Sequence, residues 1–246
     1  MPIKKAEAFV LNSFNIGEQD KIITFFSKEK GLLKGVAKGA RKFGNRFGSC
    51  LEPMSHIHVV YYEKERKELV TLNHCDLLDS VFELQKDIKT SFTLSYFSEL
   101  IQEFFPLRAK EDVLFRLLFS TLASLKKGGD IELLSAYFES WLLHVSGILP
   151  HFEKCKKCRI FITEKAWLSP KKDGVHCNRC SYQKKEEIDP EIISFLKWVK
   201  KNPPPNNKTD DFSSQTIEKI RRTLQSLITF HLEKEPKSLR YLKNQK

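Results

Sequence analysis

Residues 17–42 read GEQDKIITFFSKEKGLLKGVAKGARK. Two short apolar runs, KIITFF (21–26) and LLKGVA (32–37), flank the turn Ser27-Lys28-Glu29-Lys30-Gly31. The second run leaves through a Gly-rich basic loop, Lys38-Gly39-Ala40-Arg41-Lys42. Strand, tight turn, strand and cationic loop is the order in which a small β-barrel presents charge to a nucleic-acid backbone.

Working outward, residues 1–79 read as β. Strands are expected at about Lys5–Phe14, Lys21–Ser27, Leu32–Ala37, Ser55–Tyr62 and Leu69–Leu77. The pleat of the fourth puts His56, His58, Val60 and Tyr62 on one face and Ile57, Val59 and Tyr61 on the other. The charged stretch Glu63–Glu68 suits a solvated hairpin. Five short strands with one long basic loop suit an OB-type barrel, with an SH3-like barrel as the competitor. The fold class expected is therefore α+β and multidomain, because residues 80–246 read as helical.

In that second part, Ile88, Phe92, Tyr96, Leu100 and Phe104 recur at helical spacing before Pro106. Asp112 is placed to cap a second helix with the stripe Val113, Leu114, Leu117, Leu118, Leu122 and Leu125. Asp130 is placed to cap a third, running to Val145 and stopped by Gly147 and Pro150. Pro190–Lys201 reads as a short helix. Pro203-Pro204-Pro205 reads as a stiff, exposed connector. Ser214–Leu232 reads as a final helix carrying Ile217, Ile220, Leu224, Leu227, Ile228 and His231. The basic tail from Glu235 is expected to be only partly ordered.

Composition sets the partner class. The chain has 246 residues, 41% of them hydrophobic, and a formal net charge of +11. A clustered basic excess of this size favours polyanions. No apolar run approaches the roughly 20 residues that span a bilayer. No signal peptide is evident, so a cytoplasmic protein without membrane attachment is expected.

Four of the six cysteines form two CxxC pairs, Cys155/Cys158 and Cys177/Cys180, separated by eighteen residues. Two such turns close a tetrahedral four-thiolate site, so one structural Zn²⁺ is expected in an inserted module at 151–185. A redox CxxC would want a βαβ context that this stretch lacks. The module is ringed by cations, which either neutralise the thiolates or touch nucleic acid. Cys50 and Cys75 read as buried small residues.

In the barrel part, Lys34, Lys38, Arg41, Lys42 and Arg46 fall within thirteen residues, with Phe43 and Phe47 between them. Cations meet phosphates and aromatic faces stack bases, which suits sequence-independent binding. The two phenylalanines equally suit a place in the barrel mouth. Asp20 reads as a brace for the hairpin. There is no GxxxxGK[ST] loop, GxGxxG fingerprint, HExxH or nucleophile elbow, so no enzyme is expected.

Taken in order, these pieces resemble the RecO family across nearly the whole chain. The resemblance is carried by Gly17-Glu18-x-Asp20, Val36-Ala37-Lys38-Gly39-Ala40-Arg41, Leu51-Glu52-Pro53 and Gly147-Ile148-Leu149-Pro150 with the cysteines beyond. Arg221-Arg222-Thr-Leu224 and the stretch Leu232–Leu239 resemble the family's closing pattern. The cysteine module is often degenerate in the family; here it is complete. The resemblance implies a recombination mediator that binds single- and double-stranded DNA and anneals complementary strands. It implies association with RecR and with the nucleoid, contact with the acidic C-terminal tail of single-strand-binding protein, and help in loading RecA. For that tail, the basic residues of the helical part stand at Arg108, Lys110 and Arg116. An RNA-processing or translation factor with the same modules is the alternative, and a redox or metal-dependent enzyme a weaker one.

Overall fold

A computed structural model describes residues 2–64, 67–207 and 211–243. The chain forms two compact units, residues 1–116 with 236–246, and residues 117–235.

The first unit is built on five strands: β1 (Ile3–Ile16), β2 (Asp20–Ser27), β3 (Gly31–Ala37), β4 (His56–Tyr62) and β5 (Val70–Asp79). They close a barrel in the order β1-β2-β3-β5-β4, with β4 returning to β1. Every pairing is antiparallel except β3 with β5. That order and the parallel closure are the OB-type arrangement. Alternation sorts the side chains: Ala6, Ala8, Val10, Ile23, Phe25, Leu33, Ile57, Val59, Tyr61 and Leu72 fill the interior.

The outer face of β1 to β3 is not left to water. Phe9, Phe26 and Leu32 point outward and are buried. Phe9 and Phe26 meet the ring of Phe115, at 5.2 and 6.4 Å between centroids. A bulge between Val10 and Asn12 inserts Leu11, which keeps Val10 inward and frees the Leu11 carbonyl to accept from Ser98. Gly31 sits at φ +67°, and a Cβ there would lie 1.7 Å from the Ala109 carbonyl oxygen. Only glycine lets the 107–109 segment run beside β3, where Arg108 N–H donates to Leu32 O at 2.8 Å.

Helix α1 (Ile88–Phe104) is capped by Asp87, whose side chain accepts from Thr90 N–H. The expected stripe needs correcting. Tyr96 and Leu100 are buried as expected, but Ile88 is exposed, Phe92 and Phe104 are half-buried, and the buried face continues through Leu94, Phe97 and Ile101. Steps of four residues advance about 400°, so a ladder of four such steps drifts off the face that steps of three and four maintain.

The tail also departs from expectation. Residues 237–243 form an ordered helix, α6, on α1. Glu99 of α1 accepts from the Lys237 and Ser238 amides at 2.8 Å each, Leu239 is buried, and Tyr241 stacks on Phe92 at 5.6 Å. A carboxylate supplied across the sequence satisfies the orphan amides of a short helix that could not stand alone.

Helix α2 comprises Asp112–Lys126. Asp112 is its first residue rather than its cap. The Glu111 carboxylate accepts from Val113 N–H at 3.2 Å instead.

In the second unit, α3 (Ile131–Val145) begins at the Asp130 cap. It packs on α5 (Ser214–Leu232) through a buried ion pair: Arg221 joins Glu132 and the fully buried Glu139. Helix α4 (Pro190–Lys201) buries Ile192, Ile193, Phe195, Leu196 and Val199. His231, expected on the α5 stripe, is exposed. The triple proline is not a free connector: Pro205 is buried and the Pro204 carbonyl accepts from Ser124 at 3.2 Å. A small sheet of β6 (Ala166–Leu168), β7 (Val175–Cys177) and β8 (Glu187–Ile188) supports the cysteines.

Candidate metal centre and nucleic-acid interface

The cysteine turns are set by local backbone geometry. After Cys155 the chain makes one tight turn, with Arg159 N–H donating to Cys155 O at 2.9 Å and Arg159 itself at φ +63°. The second turn follows directly from β7, with the Cys180 and Ser181 amides both donating to Cys177 O at 3.0 Å. Backbone bridging at Cys155 and Val175 brings the two turns side by side.

All four sulfurs lie within 4.8 Å of one another, and those of Cys158 and Cys177 are 3.7 Å apart. A tetrahedron with metal–sulfur bonds of about 2.3 Å has edges of about 3.8 Å, so the spacing fits a four-thiolate ion. Burial opposes the Cys155 thiolate, but the amides of Cys158, Cys177 and Lys157 outweigh it and draw its pKa down to about 6. Burial and then the neighbouring thiols push Cys180 up to about 12. Four sulfurs this close cannot all ionise unless a cation sits among them, which is what the donor set is shaped to hold.

The surrounding cations divide into two kinds. Lys172 is buried and spent on Glu186 and Ser226, which ties the module to α5. Others stand over aromatic rings: Lys154 over Phe161 at 4.5 Å, Lys157 over Tyr182 at 4.9 Å and Lys184 over Trp167 at 4.9 Å.

In the barrel, the basic loop is anchored at its root. The Asp20 carboxylate accepts from Gly39 N–H at 2.8 Å, and Arg41 N–H donates to Gln19 O at 2.9 Å. The Arg41 guanidinium also donates to Gly17 O at 2.9 Å. Further along, the Asn45 side chain accepts from the Phe47 and Gly48 amides, an Asx turn that sequence reasoning missed although its Asn-Arg-Phe-Gly spelling is a turn signal.

This turn separates the two aromatics. Phe47 is buried in the barrel core, whereas Phe43 stands fully clear of the surface. Lys38, Arg41, Lys42 and Arg46 are exposed on the same loop. Lys34 is apart from them, half-buried on the outer face of β3. Cys50 and Cys75 are buried as expected, the Cys50 thiol donating to Cys75 O at 3.1 Å.

The three basic residues placed for an acidic tail are less alike. Arg108 is held by Glu63, which also gathers Lys4 and Lys30. The Lys4 hydrogen bond leads in pulling Glu63 down to about 2, with Arg108 and Lys30 adding to it against burial. Lys110 pairs with Asp112 at 3.0 Å, and Arg116 is exposed. Among the described residues no helix is long and apolar enough to cross a membrane.

The chain matches two family models. One, described as "Recombination protein O N terminal", covers residues 1–81, and the other, "Recombination protein O C terminal", covers residues 85–240. Curated relatives named "DNA repair protein RecO" align over nearly all of both chains. The one from Koribacter versatilis is 31% identical over 95% of each chain. The one from Caldicellulosiruptor bescii is 28% identical over 99% of each. The one from Syntrophotalea carbinolica is 30% identical over 96% of this chain and 93% of its own. With both halves matched in sequence order and the barrel, helices and four-sulfur cluster in place, this chain belongs to the RecO family.

Proposed function

We propose that this chain is a non-catalytic recombination mediator in DNA repair. Residues 1–79 serve as the nucleic-acid-binding domain, and residues 80–246 as a helical domain carrying the cysteine module. The single observation that supports this best is the anchored basic loop. Four exposed cations and one fully exposed aromatic are held on a barrel, a combination that binds phosphates and stacks bases without reading sequence.

Lys38, Arg41, Lys42 and Arg46 contact the backbone of single- or double-stranded DNA, with Lys34 at the edge of the track. The protein anneals complementary strands, associates with RecR and helps load RecA onto single strands coated by their binding protein. The acidic tail of that binding protein meets the basic residues near α2. Arg116 is free for it, while Arg108 and Lys110 must first leave Glu63 and Asp112. The ion in the cysteine cluster is Zn²⁺. Cys155, Cys158, Cys177 and Cys180 hold it, and its contribution is to folding, since four protein sulfurs leave no open position.

The test is the salt dependence of binding to DNA and RNA oligonucleotides of one sequence. Replacing Lys38, Arg41 and Lys42 with alanine should weaken DNA binding equally across sequences. The slope of log affinity against log salt should flatten by roughly two to three, at about 0.7–0.9 per phosphate contact. An unchanged slope would move DNA to another surface, and preference for RNA would replace the repair reading with one in RNA processing.

A further inference from the structure

The helical unit carries a charged cleft that the barrel loop does not explain. It has a volume of about 580 Å³ and lies between the cysteine module and α4. Leu149, Pro150, Ile193 and Leu196 give it apolar walls, while Lys154, Lys156, Arg159, Lys197 and Lys200 converge on it from both sides. Lys156 is paired with Asp173. Among the described residues Arg159, Lys197 and Lys200 have no carboxylate at ion-pairing distance, and all three are exposed.

Zinc compensation does not account for these charges. The module from 151 to 185 holds ten lysines and arginines against three acids. Four thiolates on a divalent ion leave only a formal charge of about −2 to offset. Lys197 and Lys200 belong to a helix outside the module altogether. What remains is a polyanion site.

The aromatic rings exposed on the cysteine module identify the polyanion. Lys154 lines the cleft and also lies over the ring of Phe161, which is 64% exposed. Tyr182 is 85% exposed and accepts a hydrogen bond from Lys157 at its hydroxyl, at 3.0 Å, which leaves its ring faces open. An exposed ring with a cation on one face leaves the other face to stack a base, while the cation meets the adjoining phosphate. An acidic peptide would use the cations and the apolar walls but would leave both rings idle.

We infer that this cleft, together with the exposed rings of the cysteine module, forms a second single-strand-binding surface, separate from the barrel loop. The inference rests on the reading of this chain as a strand-annealing protein, and it supplies that activity with a physical basis. A chain holding one strand on the loop and another on the cleft makes pairing an event within one complex. The local strand concentration then rises to about the millimolar range.

The test uses the full-length, zinc-loaded chain and an oligonucleotide in which thymine is replaced by 5-iodouracil. Ultraviolet crosslinking followed by mass spectrometry should recover Phe161 or Tyr182 peptides as well as loop peptides; crosslinks confined to the loop would overturn the proposal. A second arm compares Arg159→Ala/Lys197→Ala/Lys200→Ala with the loop triple variant, zinc content and melting temperature being checked for both. The cleft variant should lose about tenfold or more in annealing rate while binding one strand within a fewfold of wild type. Annealing at the wild-type rate would overturn the cleft and leave the loop reading intact. Loss confined to the cleft variant would keep the cleft and overturn the loop. Protection of the cleft by an acidic peptide, without strand crosslinks there, would assign it to a protein partner and overturn the proposal.

Discussion

Asp20 and Gly39 are joined where β2 begins and β3 ends: the carboxylate of one accepts the amide hydrogen of the other at 2.8 Å. Through this bond the first residue of β2 fixes the root of the basic loop. Asp20→Ala should leave the barrel folded but release the Gly39 amide to exchange. DNA affinity should fall a fewfold, as expected from losing about 1 kcal/mol of positioning. Asp20→Asn keeps an acceptor and should retain most of both. Hydrogen exchange at Gly39 together with fluorescence anisotropy distinguishes the two variants; unchanged exchange in the alanine variant would show that the brace is not needed.

The cysteine cluster predicts a graded response. Cys177 is buried and Cys158 exposed, so Cys177→Ser should lower the melting temperature more than Cys158→Ser. Elemental analysis should find one zinc per chain in the wild type and less than one in either variant. A chelator that removed the metal without moving the melting temperature would refute a structural role.

Glu63 makes the stability of the first unit depend on acid. Its folded pKa of about 2 lies below the unfolded value near 4.3, so its stabilisation is complete above the unfolded value and is lost as pH falls toward 2. Glu63→Gln should cost on the order of 2 kcal/mol at pH 7, with allowance for the partial exposure of Lys4, Lys30 and Arg108. The gap from wild type should close near pH 2. Urea melts of both proteins at pH 7 and pH 3 measure it, and a gap independent of pH would exclude the ion pair as its source.

Helix α6 should matter out of proportion to its seven residues. Truncation after Glu235 removes buried Leu239 and leaves Glu99 without its two amides. A loss on the order of 3 kcal/mol is expected for the unit that contains the barrel. Thermal melts of the truncated chain check this, and a melting temperature equal to that of the full chain would mean that α6 docks without stabilising.

Much of this fold was legible in the sequence because its signals are local. Alternation and turn residues located all five barrel strands to within a few residues. The Pro190 start delimited α4, and the apolar stripe from Ile217 to Ile228 located α5. The cysteine spacing announced its own geometry. What stayed hidden depends on residues far apart. The seven residues of α6 have no apolar stripe, and their partner Glu99 lies 138 positions away from Lys237. Phe115 lies outside the expected α2 stripe, and its place becomes clear only when the barrel's outer aromatics are known to meet it. Phe43 and Phe47 look equivalent until Asn45 turns the chain between them. No local pattern marks Lys197 and Lys200, because the cleft they line is completed by residues 149–159, far away in the sequence.

The first unit is assembled from residues 1–116 and from a segment beginning at Pro236. Protein synthesis is vectorial, so the barrel emerges from the ribosome early and waits for α6 while the whole of residues 117–235 is made. During that interval the α1 surface around Phe92 and Glu99 has no cover. A chaperone or protease therefore has a window, set by translation speed, in which to sample this protein, and prematurely terminated products never close it.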